Sequence, residues 1–152
     1  MIFDLETLGK KITEEMVSNP NLMTNKVQNI LINYCGDDWK KYISIEENTF
    51  YKKNICMEAN FDMYIITWNK FQESKIHDHS SNGCVYKILQ GCIDESIYDT
   101  NTMEKISEKC LEKDNSSCIS NNIGFHKMSN NYDEICVSIH IYSPPKYKTN
   151  YY

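Results

Sequence analysis

A run of short segments rich in β-branched and aromatic residues begins at about Thr49, and this pattern restricts the fold more than any other feature. Turn residues separate segments that are each long enough for one strand. This spacing predicts a barrel or a sandwich. The last segment alternates strictly and predicts a half-buried strand. Residues 103–113 fit either a helical segment or a charged hairpin. The predicted strands are Met63–Trp68, Cys84–Gly91, Ile93–Tyr98, Cys118–Ser120, Gly124–Met128 and Val137–Tyr142.

The N-terminal third has helical periodicity instead. A first helix is expected from about Leu5 to Val17, and Asn19-Pro20 would end it. A second helix is expected over Thr24–Tyr34, with Thr24 as N-cap and Gly36 as the stop. The apolar positions expected to face inward are Leu5, Leu8, Ile12, Met16, Val27, Ile30, Leu31 and Tyr34.

The length of 152 residues predicts one domain, with helices over about 1–48, a β-barrel over about 49–145 and a tail over 146–152. The net charge of -5 and the lack of a basic stripe argue against a nucleic-acid partner. No apolar run is long enough to span a bilayer, and no signal core precedes the first helix. We therefore expect a cytoplasmic, monomeric protein.

Seven cysteines are scattered through the chain without paired C-x-x-C spacing. Their odd number and spacing argue against a disulfide framework or a structural zinc site. Most are expected to be buried, reduced thiols.

Three of the four histidines suggest a metal site. His77 and His79 are two residues apart, so on a strand both side chains would point to the same face. His126 could supply a third ligand from a distant strand. Three neutral imidazoles would leave coordination positions open for a substrate and O2. An H-x-H pair alone could equally be a chance pattern in a surface loop. Asp78 would point to the opposite face and is not expected to be a ligand.

Several segments together resemble the cysteine dioxygenase family of the cupin superfamily. The spacing of His77-x-His79, Cys84 and Gly91 resembles the first cupin motif, with cysteine where a glutamate is usual. His126-x-x-x-Asn130 resembles the second cupin motif. The segments that carry the likeness are KIHDH (75–79), CVYKILQG (84–91), IGFH (123–126) and VSIHIYSPP (137–145).

The resemblance implies a mostly β cupin, or jelly-roll, barrel preceded by α-helices. It also implies that His77, His79 and His126 bind Fe(II), and that both atoms of O2 are added to the sulfur of free L-cysteine to give cysteine sulfinic acid. A thiol would bind such iron as the thiolate.

The same resemblance implies further site residues. Cys84 matches a cysteine that the family joins to a tyrosine by a thioether, and Tyr142 matches that tyrosine. Ser138 and His140 share a strand face with Tyr142 and match a relay that orients its hydroxyl. Ser143-Pro144 matches a cis peptide bond of the family.

Two departures from the family pattern concern the pocket. Lys53 stands where relatives hold the substrate carboxylate with arginine, and Tyr51 matches a neighbouring pocket tyrosine. Lysine provides a point charge without a two-pronged grip, which predicts weaker cysteine binding or tolerance of other thiols. The tail that follows Pro145 is short, which predicts a pocket that is more open or closed by a partner subunit.

Three alternatives remain at this stage. One is a dioxygenase of another thiol carboxylate such as 3-mercaptopropionate. The others are a non-catalytic metal-binding cupin and a zinc cupin with isomerase or storage roles. The presence of Cys84, Ser138, His140 and Tyr142 together argues against a protein that only binds.

Overall fold

The computed structural model describes residues 1–21 and 25–152, and in this part of the chain helices precede eight strands. Helix α1 covers Leu5–Ser18, helix α2 covers Asn25–Ile32, and a short 3-10 helix covers Asp38–Tyr42. The prediction of a mostly β protein with N-terminal helices is confirmed. The strands are β1 (Tyr51–Met57), β2 (Asp62–Trp68), β3 (Cys84–Gln90), β4 (Cys92–Tyr98), β5 (Lys105–Glu112), β6 (Ser116–Ile119), β7 (Phe125–Ser129) and β8 (Cys136–Tyr142).

The two helices form close to where their periodicity predicts them. The carboxylate of Asp4 caps α1 by accepting a hydrogen bond from the backbone of Thr7, and Asn19 ends the helix. The second helix stops at Ile32, before Tyr34 and Gly36. The predicted cap Thr24 lies outside the described residues. Within the described residues, neither helix is long and apolar enough to cross a membrane.

The strands form two antiparallel sheets that face each other. One sheet has the order β1-β2-β8-β3-β6 and the other has the order β5-β4-β7. One apolar core lies between the helices and the outer face of the larger sheet, and includes Ile12, Leu31 and Ile65. A second core fills the space between the two sheets and includes Ile66 and Met128. The larger sheet is therefore covered on both faces.

The structure changes one prediction and decides another. Strand β8 was expected to be half-buried, but it is buried on both faces until its last residue, because it lies between β2 and β3 beneath the helices. The undecided segment 103–113 forms β5, which pairs with β4 along its whole length. Its side chains are mostly exposed, as at the edge of a sheet.

Candidate active site

Three histidine side chains meet in the interior between the two sheets. His126 lies on β7, whereas His77 and His79 lie in the connection between β2 and β3, outside the named strands. The expectation that this pair sits on a regular strand is therefore wrong, although isolated bridges still hold the backbone of His77 extended. One ligand atom from each ring lies within 4.8 Å of the others. The chance H-x-H interpretation does not describe this arrangement.

The backbones of His77 and His126 bind each other directly. The N–H of His77 donates to the carbonyl of His126 at 3.0 Å, and the reverse bond is 3.2 Å long. This pair of bonds brings the two Nε2 atoms to 3.0 Å from one another. The distance between these two candidate ligand nitrogens therefore follows from backbone pairing.

On each of these two imidazoles, the hydrogen-bond partner of Nδ1 determines which ring nitrogen carries the proton. The Nδ1 atom of His77 faces the Lys75 carbonyl at 2.9 Å, and that of His126 faces Glu95 at 3.1 Å. The Lys75 carbonyl can only accept, and Glu95 accepts as the carboxylate that Lys109 also contacts, so this arrangement assigns the proton of each ring to Nδ1. With this assignment each Nε2 carries a lone pair, and two lone pairs on atoms 3.0 Å apart repel each other unless a cation binds both. The pair is arranged for a metal ion.

The third imidazole, His79, is buried, and among the described residues neither of its ring nitrogens has a partner at ordinary hydrogen-bond geometry. Burial and the neighbouring imidazoles lower its pKa to about 2, and burial keeps the pKa of His126 well below its ordinary value. These rings are therefore neutral near pH 7. An unpartnered buried nitrogen beside two converging lone pairs fits a metal ligand.

Glu95 is a site residue that the sequence analysis missed. Its carboxylate is fully buried, contacts His126, and has Lys109 Nζ 3.2 Å from its other oxygen. Burial raises the pKa of this carboxyl group, while Lys109 opposes that shift. The signal in the sequence was a carboxylate at an inward position of a strand, between Ile93 and Ile97.

The side chains of Ser138, His140 and Tyr142 line one face of β8 and form a hydrogen-bonded row. Trp68 Nε1 donates to Ser138 Oγ at 3.0 Å, and Ser138 Oγ lies 2.8 Å from His140 Nε2. The Tyr142 hydroxyl lies 3.3 Å from His140 Nδ1. The expected row is therefore present.

The direction of the protons in this row follows from Ser138. In the described part of the chain its hydroxyl has only Trp68 and His140 as partners, and Trp68 can only donate. Ser138 therefore donates to His140 Nε2, and His140 Nδ1–H donates to the oxygen of Tyr142. His140 therefore does not take the phenol proton of Tyr142, which is left for the Cys84 sulfur, its other side-chain partner, or for a group in the pocket.

Cys84 lies directly opposite Tyr142 in the pairing of β3 with β8, where neighbouring side chains are in contact. Its buried thiol lies 3.8 Å from His140 Nδ1. Burial raises the pKa of this thiol above its ordinary range. The Ser143-Pro144 peptide bond is cis, as the resemblance implied.

The cation that faces the pocket is Lys52, not Lys53. Side chains alternate along β1, so Lys52 pairs with Ile66 of the barrel interior while Lys53 pairs with Ile65 under the helices. Lys52 Nζ lies 4.1 Å from the Tyr64 ring centroid and 4.5 Å from that of Tyr142. Partial removal from water lowers its pKa.

The same alternation affects the predicted pocket tyrosine. Phe50 lines the pocket and its ring lies 4.4 Å from that of Trp68, whereas Tyr51 does not line it. The expectation that Tyr51 and Lys53 line the pocket is therefore wrong by one residue in each case. The structure assigns their pocket positions to Phe50 and Lys52.

The tail after Pro145 closes one side of the pocket. Thr149 and Tyr151 line it together with His77, His126, His140 and Tyr142. The tail backbone also bridges to His77 through Tyr151. A residue of this chain therefore forms the wall that the sequence analysis left open or assigned to a partner.

The chain is similar to known thiol dioxygenases along most of its length. The family model described as cysteine dioxygenase type I matches residues 7–152. Cysteine dioxygenase type 1 of Rattus norvegicus is 31% identical over 145 residues, covering 89% of this chain and 72% of the rat protein. The protein of the same name from Danio rerio is 29% identical over 152 residues, covering 93% and 75%.

Solved structures share the barrel. A protein with a double-stranded β-helix domain from Klebsiella pneumoniae matches with a TM-score of 0.61 and 12% identity, over 74% of this chain and 91% of that one. A cupin superfamily protein from Desulfitobacterium hafniense matches with a TM-score of 0.57 and 11% identity, over 72% and 90%. Such low identities bear on fold alone, and they confirm the predicted cupin barrel.

Replacing Glu95 should weaken metal binding. Glu95→Gln keeps the shape of the side chain but removes the charge that holds His126 with Nδ1 protonated. We expect the dissociation constant for Co(II), measured by absorption during titration of metal-free protein, to rise by about tenfold or more. Glu108→Gln, on the exposed face of β5, is the matched control. Equal affinities in the two variants would contradict the role of Glu95.

The buried neutral imidazoles predict acid sensitivity of the metal-free protein. His79, His126 and His140 have folded pKa values below their unfolded values, because burial disfavours the charged ring. The unfolded state therefore binds more protons below about pH 6.5, and the free energy of unfolding falls as the pH decreases from there. Each ring contributes up to about 1.4 kcal/mol per pH unit. Urea unfolding at about pH 7.5 and 5.5 measures the change; equal stabilities at the two values would refute it.

Proposed function

Because the chain belongs to the cysteine dioxygenase type I family, we propose that it converts free L-cysteine to cysteine sulfinic acid with both atoms of O2. Membership makes it a cysteine dioxygenase-like thiol dioxygenase of the cupin type. The observation that carries the finer proposal is the cluster of three imidazoles, two of which, His77 and His126, line one pocket together with Lys52 and Tyr142.

The three imidazoles of His77, His79 and His126 are the proposed ligands of Fe(II). Their two converging lone pairs and the unpartnered ring of His79 support a divalent ion at this point. When bound, ferrous iron supplies a Lewis acid for the thiol and electrons for O2. Metal analysis distinguishes iron from the zinc alternative.

Lys52 is the proposed partner of the substrate carboxylate. Its ammonium group is at the pocket, on the rings of Tyr64 and Tyr142, and has no carboxylate within ion-pair distance among the described residues. An incoming carboxylate would provide the missing counter-charge. The negative charge would also favour the protonated ammonium, whose pKa is lowered in the free protein.

The row on β8 prepares Tyr142 to donate a hydrogen bond to the reacting atoms. Ser138 and Trp68 hold His140 in one tautomer, and His140 holds the phenol oxygen. Tyr142 and its proton are therefore available to the bound thiol and to oxygen. Ser138 and His140 act through Tyr142, as positioning residues.

A thioether between Cys84 and Tyr142 is part of this proposal. The two residues are directly opposed on adjacent strands, which supports a bond between the sulfur and the phenol ring. Its formation would break the thiol S–H bond and one ring C–H bond, with O2 of the proposed reaction as the two-electron oxidant, and would leave the hydroxyl and its proton in place. Intact mass lower by two hydrogen atoms, with a peptide joining both residues, is the expected result after turnover. Active protein that never shows this species would exclude the bond.

A dioxygenase of 3-mercaptopropionate is the second candidate, and one observation favours it. In the described residues, the pocket is lined by no aspartate or glutamate. An amino group on the substrate therefore has no counter-charge from the lining. Lys52 would bind the carboxylate of either thiol.

The decisive experiment is anaerobic reconstitution with Fe(II), followed by air and a panel of thiols. We expect oxygen uptake with cysteine and a product heavier by two oxygen atoms in mass spectrometry. Faster uptake with 3-mercaptopropionate would select the second candidate. Iron-loaded protein that takes up no oxygen with any thiol would reject both, and would favour a metal-binding cupin without this activity.

The two neighbouring lysines offer a matched pair of variants. Lys52→Met should raise KM for cysteine by about tenfold, because one charge-assisted contact with the carboxylate is lost. Lys53→Met, on the opposite face of β1, should leave KM unchanged. Initial rates of oxygen uptake over a range of cysteine concentrations measure both. The reverse pattern would return the carboxylate site to Lys53.

A further inference from the structure

The segment 149–152 pairs with the segment that carries two of the proposed metal ligands. The N–H of Tyr152 donates to the Ile76 carbonyl at 2.9 Å, and the N–H of Asp78 donates to the Asn150 carbonyl at 3.2 Å. His77 and Tyr151 face each other across this short antiparallel ladder. The metal-binding segment therefore lies between β7 on one side and the tail on the other.

A side-chain pair fastens this ladder. The Asp78 carboxylate accepts the Asn150 backbone N–H on one oxygen and the Asn150 Nδ2 on the other, both at 2.8 Å. Asp78 is only 6% exposed, so these charge-assisted bonds are shielded from solvent. Because Asp78 lies between His77 and His79 in the chain, the Asp78–Asn150 pair restrains the backbone that carries both proposed ligands.

A second contact fixes the end of the tail. The Tyr152 ring stacks on Phe125 with centroids 4.6 Å apart and an angle of 10° between planes. Phe125 precedes His126 on β7. The tail thus touches both chain segments that supply imidazoles, while Tyr151 between the two contacts lines the pocket, 6.0 Å from the His77 ring.

We propose that residues 149–152 form a strap that the Asp78–Asn150 pair holds over the metal-binding segment, and that Tyr151 on this strap limits the size of the thiol that can enter. Asp78 and Asn150 are then positioning residues for His77 and His79. Tyr151 is a specificity-determining residue. The second part of this inference rests on the proposed function, since it concerns thiol binding at the same site.

The first test compares two amide–carboxylate pairs in the same chain. Asn150→Asp places two carboxylates side by side at the strap. Asn131→Asp does the same at an exposed pair, in which Asn131 Nδ2 lies 2.7 Å from Asp94 Oδ2. We expect Asn150→Asp to raise the dissociation constant for Co(II) by about tenfold, and Asn131→Asp to leave it unchanged.

A second readout separates the strap from general loss of fold. Proteolysis of metal-free Asn150→Asp should begin within residues 146–152 and proceed faster than in Asn131→Asp, while the two variants unfold at similar urea concentrations. Equal metal affinity and equal proteolysis in both variants would overturn the strap, whatever the protein does with thiols.

The specificity role is tested by thiol binding without turnover. Dissociation constants of cysteine and homocysteine are measured by absorption for cobalt-loaded protein in the absence of O2. We expect Tyr151→Ala to improve homocysteine binding relative to cysteine by about tenfold, since one extra methylene is then accommodated. Tyr132→Ala, away from the pocket lining, is the control and should not change the ratio.

These results are distinguishable from a failure of the proposed function. A ratio that Tyr151→Ala leaves unchanged would overturn the specificity role even if the protein oxidises cysteine. Conversely, a changed ratio would support the specificity role of Tyr151 even if no thiol consumes oxygen.

Discussion

The repulsion between the lone pairs of two imidazole Nε2 atoms, which lie 3.0 Å apart inside the barrel, is the constraint on which the site depends. Lys75 and Glu95 accept the protons of the opposite ring nitrogens and prevent either ring from turning its proton inward. Burial prevents protonation from relieving the repulsion. Without a metal ion, this repulsion therefore lowers the stability of the folded protein, and a divalent cation would remove that loss.

The fold tolerates this arrangement because each ring is fixed by structure that does not depend on a metal. His126 is held by the pairing of β7 with β4 and by the buried carboxylate of Glu95. His77 is held by backbone bonds to β7 on one side and by contact with the tail on the other. Geometry set by the backbone in this way suits catalysis, since little reorganisation accompanies binding.

The alternation of side chains across strands organises the rest of the pocket. On β8 it directs Ser138, His140 and Tyr142 inward, and on β1 it directs Lys52 inward and Lys53 outward. A cation, a phenol hydroxyl and the histidines of the candidate metal site consequently lie close together at one small pocket. In the thiol dioxygenase proposed here, these three groups would face the carboxylate, the reacting atoms and the sulfur of one substrate.

The sequence by itself determined the two helices, six of the strands, the family and the choice of three histidines as candidate metal ligands. Periodicity and motif spacing are local properties of the chain, and these features depend on them. It predicted a single domain, a monomer, a cytoplasmic location and the absence of a nucleic-acid partner, and these remain predictions. Only the tertiary structure decided what depends on register. A one-residue shift exchanges the faces of a strand, so Lys52 replaced Lys53. The roles of Glu95 and the tail were also hidden, because Glu95 lies 31 residues from His126 and Asn150 lies 72 residues from Asp78 along the chain. The inward position of Glu95 on its strand was visible in the sequence, but which distant residue it or Asn150 contacts is set by the tertiary fold, and no local pattern encodes that pairing.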